Sequence, residues 1–323
     1  MRVLVVVVLV KSVSGVPAAA PRCFEENGER HCLPILLGVA SVRAGTTSLA
    51  TYLAAHPKLS WGTRKEHHWF RFLMRKDEAS GPFSVAEMAD GSLREVNVTF
   101  STGGLGEGTA FPAISQVGRG DWRSYARQFG PEYGFDFDPC YLAHGMLSRA
   151  SMMAIKETLP NAKILAVFRD PAHQHCSRLR DNVRRCADAL SVMRTPDAEC
   201  KGPARPHFHN YCYVEHVEEW WREFGRHNVL LVKSEELRED PLPILGTILR
   251  FVGLEPYDFP RDVLSREHNV HNTTRRHPDF DYCLQAHRRP DTFLTSCNDR
   301  LATLLGDPKW HWWPSSSKEE DEL

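Results

Sequence analysis

The chain has 323 residues, of which 42% are hydrophobic and 25% charged, with a formal net charge of -1, the proportions of an ordinary globular protein with a large core. This balance excludes a basic coat that binds nucleic acid without sequence preference, and it confines any polyanion site to one region. One domain with elaborations suits the length, so residues 21–314 are read as a single unit between a leader, 1–20, and an acidic tail, 315–323.

The leader, MRVLVVVVLVKSVSGVPAAAPR, places Arg2 before eight apolar residues, 3–10, and a run of small residues ending near Ala20. That is the layout of a cleavable signal peptide; a buried strand interrupted at Lys11 is the competing reading. Eight apolar residues are too few to span a bilayer. Nine cysteines and two N-glycosylation sequons, Asn97-Val98-Thr99 and Asn272-Thr273-Thr274, agree on an oxidising setting, the lumen of the Golgi or endoplasmic reticulum or the outside of the cell. Local bridges are expected: Cys23 with Cys32, Cys186 with Cys200 or Cys212, and Cys283 with Cys297, the odd total leaving at least one thiol free or intermolecular. Without a double C-x-x-C spacing, no structural metal is expected. The last four residues, Glu320-Asp321-Glu322-Leu323, read either as a retrieval signal with glutamate in place of the usual lysine or as a plain acidic tail.

In chain order, a buried strand is expected at residues 33–42, then a Gly-Thr-Thr turn and an amphipathic helix at 46–55 stopped by His56-Pro57. Residues 80–119, rich in Gly, Ser and Thr without a sustained period, read as an irregular excursion. DWRSYARQFG reads as a helix closing at Gly130. A helix at 146–159 breaks at Pro160-Asn161, a short strand fills 163–168, and the next helix begins near Pro171, a first-turn position that suits proline. Further helices are expected in VEEWWREFG, LPILGTILRFVGL and TSCNDRLATLLG, and a strand in NVLLVKSEEL. Strands alternating with helices imply an α/β fold with a parallel sheet covered on both faces.

In such a sheet, ligands collect where strand ends meet helix starts, and helix N-termini offer amides to phosphate or sulfate. In the first turn, VRAGTTSL, Arg43 brings a fixed charge, Gly45 lets the backbone approach an anion, and Thr46 and Thr47 present hydroxyls. It is not the triphosphatase loop G-x-x-x-x-G-K-[ST], because Thr46 stands in the lysine's place and no acidic strand end for magnesium is evident. A helix cap with a surface arginine is the plainer reading of this turn taken alone. The second turn, LAVFRDPAHQHCS, puts Arg169 at a strand end and Ser177 two helical turns on, placed to grip one phosphate together. Its plainer reading pairs Arg169 with Asp170 or another carboxylate.

Together the two turns resemble the sulfotransferase family, whose donor is 3′-phosphoadenosine 5′-phosphosulfate. The family's 5′-phosphosulfate loop, approximately [KR]-x-G-T-[TS], is matched by Arg43-Ala44-Gly45-Thr46-Thr47, and its 3′-phosphate motif, approximately R-[DN]-P-x5-S, by Arg169-Asp170-Pro171 and Ser177. HPKL, LPNAKIL, VLLVKSEEL and RLATLLGDPKWHWW follow in the family's order, so the resemblance covers residues 33–313 and is weakest over 80–138. It implies a P-loop-like, three-layer fold with a central parallel sheet flanked by helices.

The heparan-type carbohydrate branch carries K-E-x-x-[FW]-F after the first helix, and Lys65-Glu66-His67-His68-Trp69-Phe70 fits. The resemblance implies Glu66 as general base with Lys65 beside the sulfonate or the base. His68 or His67 is the alternative base, as histidine is in the cytosolic branch. Arg43 departs from the lysine of most carbohydrate-specific members and is similar to the R-S-G-T-T loop of tyrosylprotein sulfotransferases; a guanidinium keeps its proton, so its role is electrostatic. Arg275 and Arg276 stand where related enzymes have a basic loop over the 3′-phosphate, although the loop's glycine is absent and a glycan on Asn272 would crowd it. Trp220-Trp221 and Trp310 to Trp313 read as core packing before acceptor contacts. The expected activity is metal-free sulfuryl transfer from 3′-phosphoadenosine 5′-phosphosulfate to a hydroxyl of a glycan or glycoprotein, with no nucleic-acid partner and no transmembrane span after leader removal. The alternatives are a tyrosylprotein sulfotransferase, a catalytically silent lumenal nucleotide-binding protein, and a kinase-like nucleoside enzyme.

Overall fold

The computed structural model describes residues 20–41, 44–67, 69–70, 85–87, 93–95, 122–131, 133–142, 149–182, 211–265, 279–288 and 292–313. The leader up to residue 19, both sequons, Arg43, His68, Arg275, Arg276, nearly all of the excursion and the acidic tail lie outside them.

The described chain opens with an antiparallel hairpin, β1 (Cys23–Glu26) and β2 (Glu29–Cys32). It turns through Asn27 and Gly28, both at positive φ (53° and 80°), as a two-residue Asn-Gly hairpin turn requires. The expected Cys23–Cys32 disulfide closes it. Then come β3 (Leu36–Ala40), α1 (Thr46–Ala54), β4 (Leu59–Ser60) and a small ribbon, β5 (Val85–Glu87) with β6 (Leu93–Glu95). After these follow α2 (Trp122–Ala126), β7 (Tyr133–Asp138), α3 (Arg149–Thr158), β8 (Lys163–Phe168) and α4 (Pro171–Asn182). The rest comprises α5 (Tyr213–Phe224), β9 (Val229–Lys233), α6 (Ser234–Glu239), α7 (Pro241–Val252), α8 (Arg261–Leu264), α9 (Asp279–His287) and α10 (Phe293–Leu305).

Five strands form one sheet in the order β4-β7-β3-β8-β9, every neighbouring pair parallel. Side chains alternate across it. Leu36, Leu165 and Val167 join α1 and α7 in one buried cluster, while Leu37, Val39, Ile164, Ala166 and Phe168 join α2, α3, α5 and α10 in another. These are the three layers expected. Gly38 is needed at the centre because a Cβ there would lie 2.1 Å from the ring of Phe137 on β7.

Several boundaries move inward. The strand expected at 33–42 pairs only over Leu36–Ala40, and the helix expected to close at Gly130 ends at Ala126. Neither β7 nor α9 was anticipated. In β7, Phe135 and Phe137 face one layer, while Asp136 and Asp138, equally buried, face the other; acids on a buried face hide a strand from hydrophobic patterning.

The cysteines need a correction. Cys283 bonds to Cys176 and Cys297 bonds to Cys212, so Cys283 does not pair with Cys297 and Cys212 does not pair with Cys186. Helix α9 packs along α4, and α10 along α5; each bridge joins facing helices, whereas the expectation followed closeness in sequence. The Cys186 with Cys200 pairing lies outside the described residues.

Candidate active site

The two turns singled out in the sequence leave adjacent strands. Ala40 on β3 is in register with Val167 on β8, and the Ser41 amide donates to the Val167 carbonyl at 3.0 Å. The first turn then passes through buried Ala44 to Gly45, which sits at φ 83° as the residue before α1, with no side chain capping the helix. That left-handed conformation is strained for any residue with a Cβ. Among the described residues, nothing lies within 4 Å of where a Gly45 Cβ would stand. The turn therefore offers open backbone at the positive end of the α1 dipole, with Thr46 buried and Thr47 half-buried in the first helical turn.

In the second turn, Asp170 caps α4: its Oδ1 accepts from the His173 amide at 2.9 Å, with Pro171 at the first helical position. The other carboxylate oxygen is ion-paired with Arg288, just past α9. Asp170 is thus committed to the helix and to Arg288. The Arg169 guanidinium donates to Nε2 of His173 at 3.4 Å, and the Arg169 carbonyl accepts from the Tyr213 hydroxyl at 2.8 Å. Burial, and then the neighbouring Arg238, pull the Arg169 pKa down, opposed by Glu235.

His173 is pushed down to about 4, by burial first and then by Arg169, Arg288 and Arg238. A neutral imidazole thus sits among three guanidinium groups, and Ser177 lies buried on the same helix. Positive charge gathered in this way favours an anion. Arg238, on α6, and Arg288 were missed in the sequence; both arrive from distant elements, and no local motif marks them.

The third segment docks on β7. The Phe137 amide donates to the Lys65 carbonyl at 3.2 Å, and the His67 amide donates to Asp136 Oδ1 at 3.2 Å. Between these anchors, the Lys65 ammonium and the Glu66 carboxylate form an ion pair, their side chains 19% and 30% exposed. His67 is 3% exposed, and its Nε2 lies 2.9 Å from the Trp61 carbonyl, so Nε2 carries a proton and donates it there. The nitrogen left as an acceptor, His67 Nδ1, is buried, so any role of His67 as a base falls to that atom. Trp69 stacks on Tyr125 with centroids 5.1 Å apart, and Phe70 meets the same ring edge-on at 5.3 Å. The acidic strand end not evident in the sequence is Asp136 and Asp138, both wholly buried at the close of β7.

Since β7, β3 and β8 are neighbours, the fold gathers Ala44, Gly45, Thr46 and Thr47 between Lys65 and Glu66 on one side and Arg169 and Ser177 on the other, along one edge of the sheet. The tryptophans serve packing: Trp220 is buried in the core, Trp310 meets Phe168 edge-on at 6.0 Å, and the Trp312 indole donates to Glu235 at 3.2 Å.

Comparison with known proteins agrees with this geometry. The model of the family described as "Sulfotransferase family" matches residues 34–258. Among curated proteins, the bifunctional heparan sulfate N-deacetylase/N-sulfotransferase 1 of Caenorhabditis elegans is 22% identical over 242 residues, 72% of this chain and 24% of that protein. Its Caenorhabditis briggsae namesake is 22% identical over 245 residues, covering 71% of this chain and 24% of that protein. The chain therefore spans about a quarter of the length of the curated relatives it matches. Among solved structures, a sulfotransferase from Alicyclobacillus acidocaldarius shares the fold with a TM-score of 0.52 and 20% identity, over 86% of this chain and 98% of that one. With the family model running through both turns, the docked Lys65-Glu66 segment and all five strands of the main sheet, the chain belongs to the sulfotransferase family.

Proposed function

We propose that this chain transfers a sulfuryl group from 3′-phosphoadenosine 5′-phosphosulfate to a hydroxyl of a glycan or glycoprotein, with Glu66 as general base. The observation that carries this is the joining of the two anion-suited turns by the Ser41 to Val167 hydrogen bond, with the Lys65–Glu66 pair docked against the neighbouring strand β7. The open backbone at Gly45 and the cations around Arg169 suit a small molecule with negative charge at both ends.

Arg43 and the first-turn amides of α1 take the 5′ end, and Arg169 and Ser177 take the 3′-phosphate, with Arg275 and Arg276 as further candidates. Glu66 accepts the acceptor's proton as the new sulfur-oxygen bond forms and the bond to the 5′-phosphate breaks, its electron pair leaving with that phosphate. Charge then grows on the equatorial and leaving oxygens, where Lys65 and Arg43 supply compensation. As in phosphoryl transfer, positioning and electrostatics account for most of the acceleration.

The glycan acceptor rests on the distant likeness to the two heparan sulfate enzymes. The bridges Cys23–Cys32, Cys176–Cys283 and Cys212–Cys297 support the proposed location in the secretory lumen, since such links persist in oxidising compartments. The test is incubation of the purified protein with sulfur-labelled donor against oligosaccharides bearing free hydroxyls or free amines and against tyrosine peptides. Label on sugar hydroxyls is expected. Label confined to tyrosine or to sugar amines overturns the acceptor assignment, and donor binding without transfer to any acceptor favours a silent binding protein.

A further inference from the structure

A wholly buried carboxylate is costly unless every lone pair is used, so Asp136 needs an explanation that the sheet does not supply. Its neighbours Phe135 and Phe137 pack in the opposite layer. An apolar residue at 136 would also fill the space beside Tyr125, without the cost of burying a charge. What it would lack is an acceptor. Asp136 Oδ2 accepts from the Tyr125 hydroxyl at 2.7 Å and Oδ1 from the His67 amide at 3.2 Å. The bond to Tyr125 fixes the carboxylate, and the bond to His67 fixes the chain one residue beyond Glu66. On the other side of Glu66, the Lys65 carbonyl is held by the Phe137 amide at 3.2 Å. The His67 ring is pinned as well, by its hydrogen bond to the Trp61 carbonyl and by Phe129, 4.6 Å away between centroids.

Glu66 is therefore gripped at both flanks by β7, through one main-chain bond that any residue would give and one side-chain bond that needs an acceptor at 136. We propose that Asp136 is the positioning residue of the Glu66 segment: through the His67 amide it holds the Glu66 carboxylate in line with the acceptor, without touching donor or acceptor. This rests on Glu66 being the general base. Misplacing a catalytic group by about 1 Å costs roughly a hundredfold in rate, so a distant anchor has a measurable effect. Burial also raises the Asp136 pKa, opposed by His67 and the Tyr125 hydroxyl.

The test is a double-mutant cycle of Asp136 with Glu66, reading kcat, donor KM, affinity for the desulfated product and melting temperature. Asp136→Ala removes the acceptor; Asp136→Asn keeps an oxygen for the His67 amide at similar volume and serves if the alanine variant does not fold. We expect kcat to fall roughly ten- to a hundredfold in Asp136→Ala and less in Asp136→Asn, with product affinity unchanged within about twofold. In a Glu66→Gln background the same changes should leave the residual rate unaltered, because residues acting through one group are not additive. An equal fractional drop in both backgrounds, a kcat unchanged in the folded Asp136→Ala protein, or a product affinity falling in step with kcat overturns the proposal. Failure of the Glu66 assignment shows separately, as full activity in Glu66→Gln alone.

Discussion

The Ser41 amide and the Val167 carbonyl, 3.0 Å apart, join the ends of two neighbouring parallel strands, so the turns that follow them leave the sheet side by side. A ligand with two phosphate groups can bridge such turns. Arg169→Ala should raise the dissociation constant of the desulfated donor product roughly 10- to 150-fold, the equivalent of about 1.5–3 kcal/mol for a hydrogen bond to a charged group. Isothermal titration calorimetry measures this. Ser177→Ala removes a hydroxyl contact and should cost less, about 0.5–1.5 kcal/mol.

Gly45→Ala separates backbone strain from ligand contact. Among the described residues no atom stands within 4 Å of the new methyl group, so the cost to folding that they set is the left-handed φ of 83°, about 1–2 kcal/mol. The methyl group would project into the space proposed for the 5′ end of the donor. Donor affinity should therefore fall by more than stability does, with thermal unfolding and titration measured on the same sample.

Glu66→Gln keeps shape and removes the base. Turnover should fall on the order of 10²–10⁴-fold, the usual contribution of general base catalysis, while product affinity stays within about twofold. Lys65 loses its ion-pair partner in this variant, so its single-turnover rate is measured beside that of Lys65→Ala. A much larger loss in Glu66→Gln than in Lys65→Ala marks the lost base.

His173 gives a pH prediction with a definite sign. Its pKa in the folded protein, about 4, lies below the ordinary 6.5, so the unfolded chain binds more protons between those values. The stability gained by keeping the ring neutral is complete above pH 6.5 and is lost as the pH falls towards 4. A phosphate placed among Arg169, Arg238 and Arg288 would offset their repulsion and raise this pKa. NMR titration of the ring, free and with bound product, should show the upward move.

Much of this was legible because the informative residues are local. Gly45 followed by Thr46 and Thr47, and Arg169-Asp170-Pro171, are short patterns in which each residue has a backbone reason: a left-handed turn, an N-cap, a first-turn proline. Strand β8 and the start of α4 fell where the apolar run and Pro171 put them. What stayed hidden depends on the fold. The burial of Asp136 and Asp138 shows only once β7 is seen between its neighbours, Arg238 and Arg288 are gathered by packing, and the Cys176–Cys283 bridge spans a sequence separation of 107. The burial of the His67 ring and its hydrogen bond to the Trp61 carbonyl were likewise not legible in the sequence.

A crystal structure of the protein with adenosine 3′,5′-bisphosphate tests the central claim most directly. The account predicts the 5′-phosphate against the Gly45 to Thr47 amides, the 3′-phosphate within hydrogen-bond reach of Arg169 and Ser177, and the Glu66 carboxylate facing the 5′ end. A nucleotide bound elsewhere, or one that touches the glycine turn while the Arg169 guanidinium points away from it, would contradict the account.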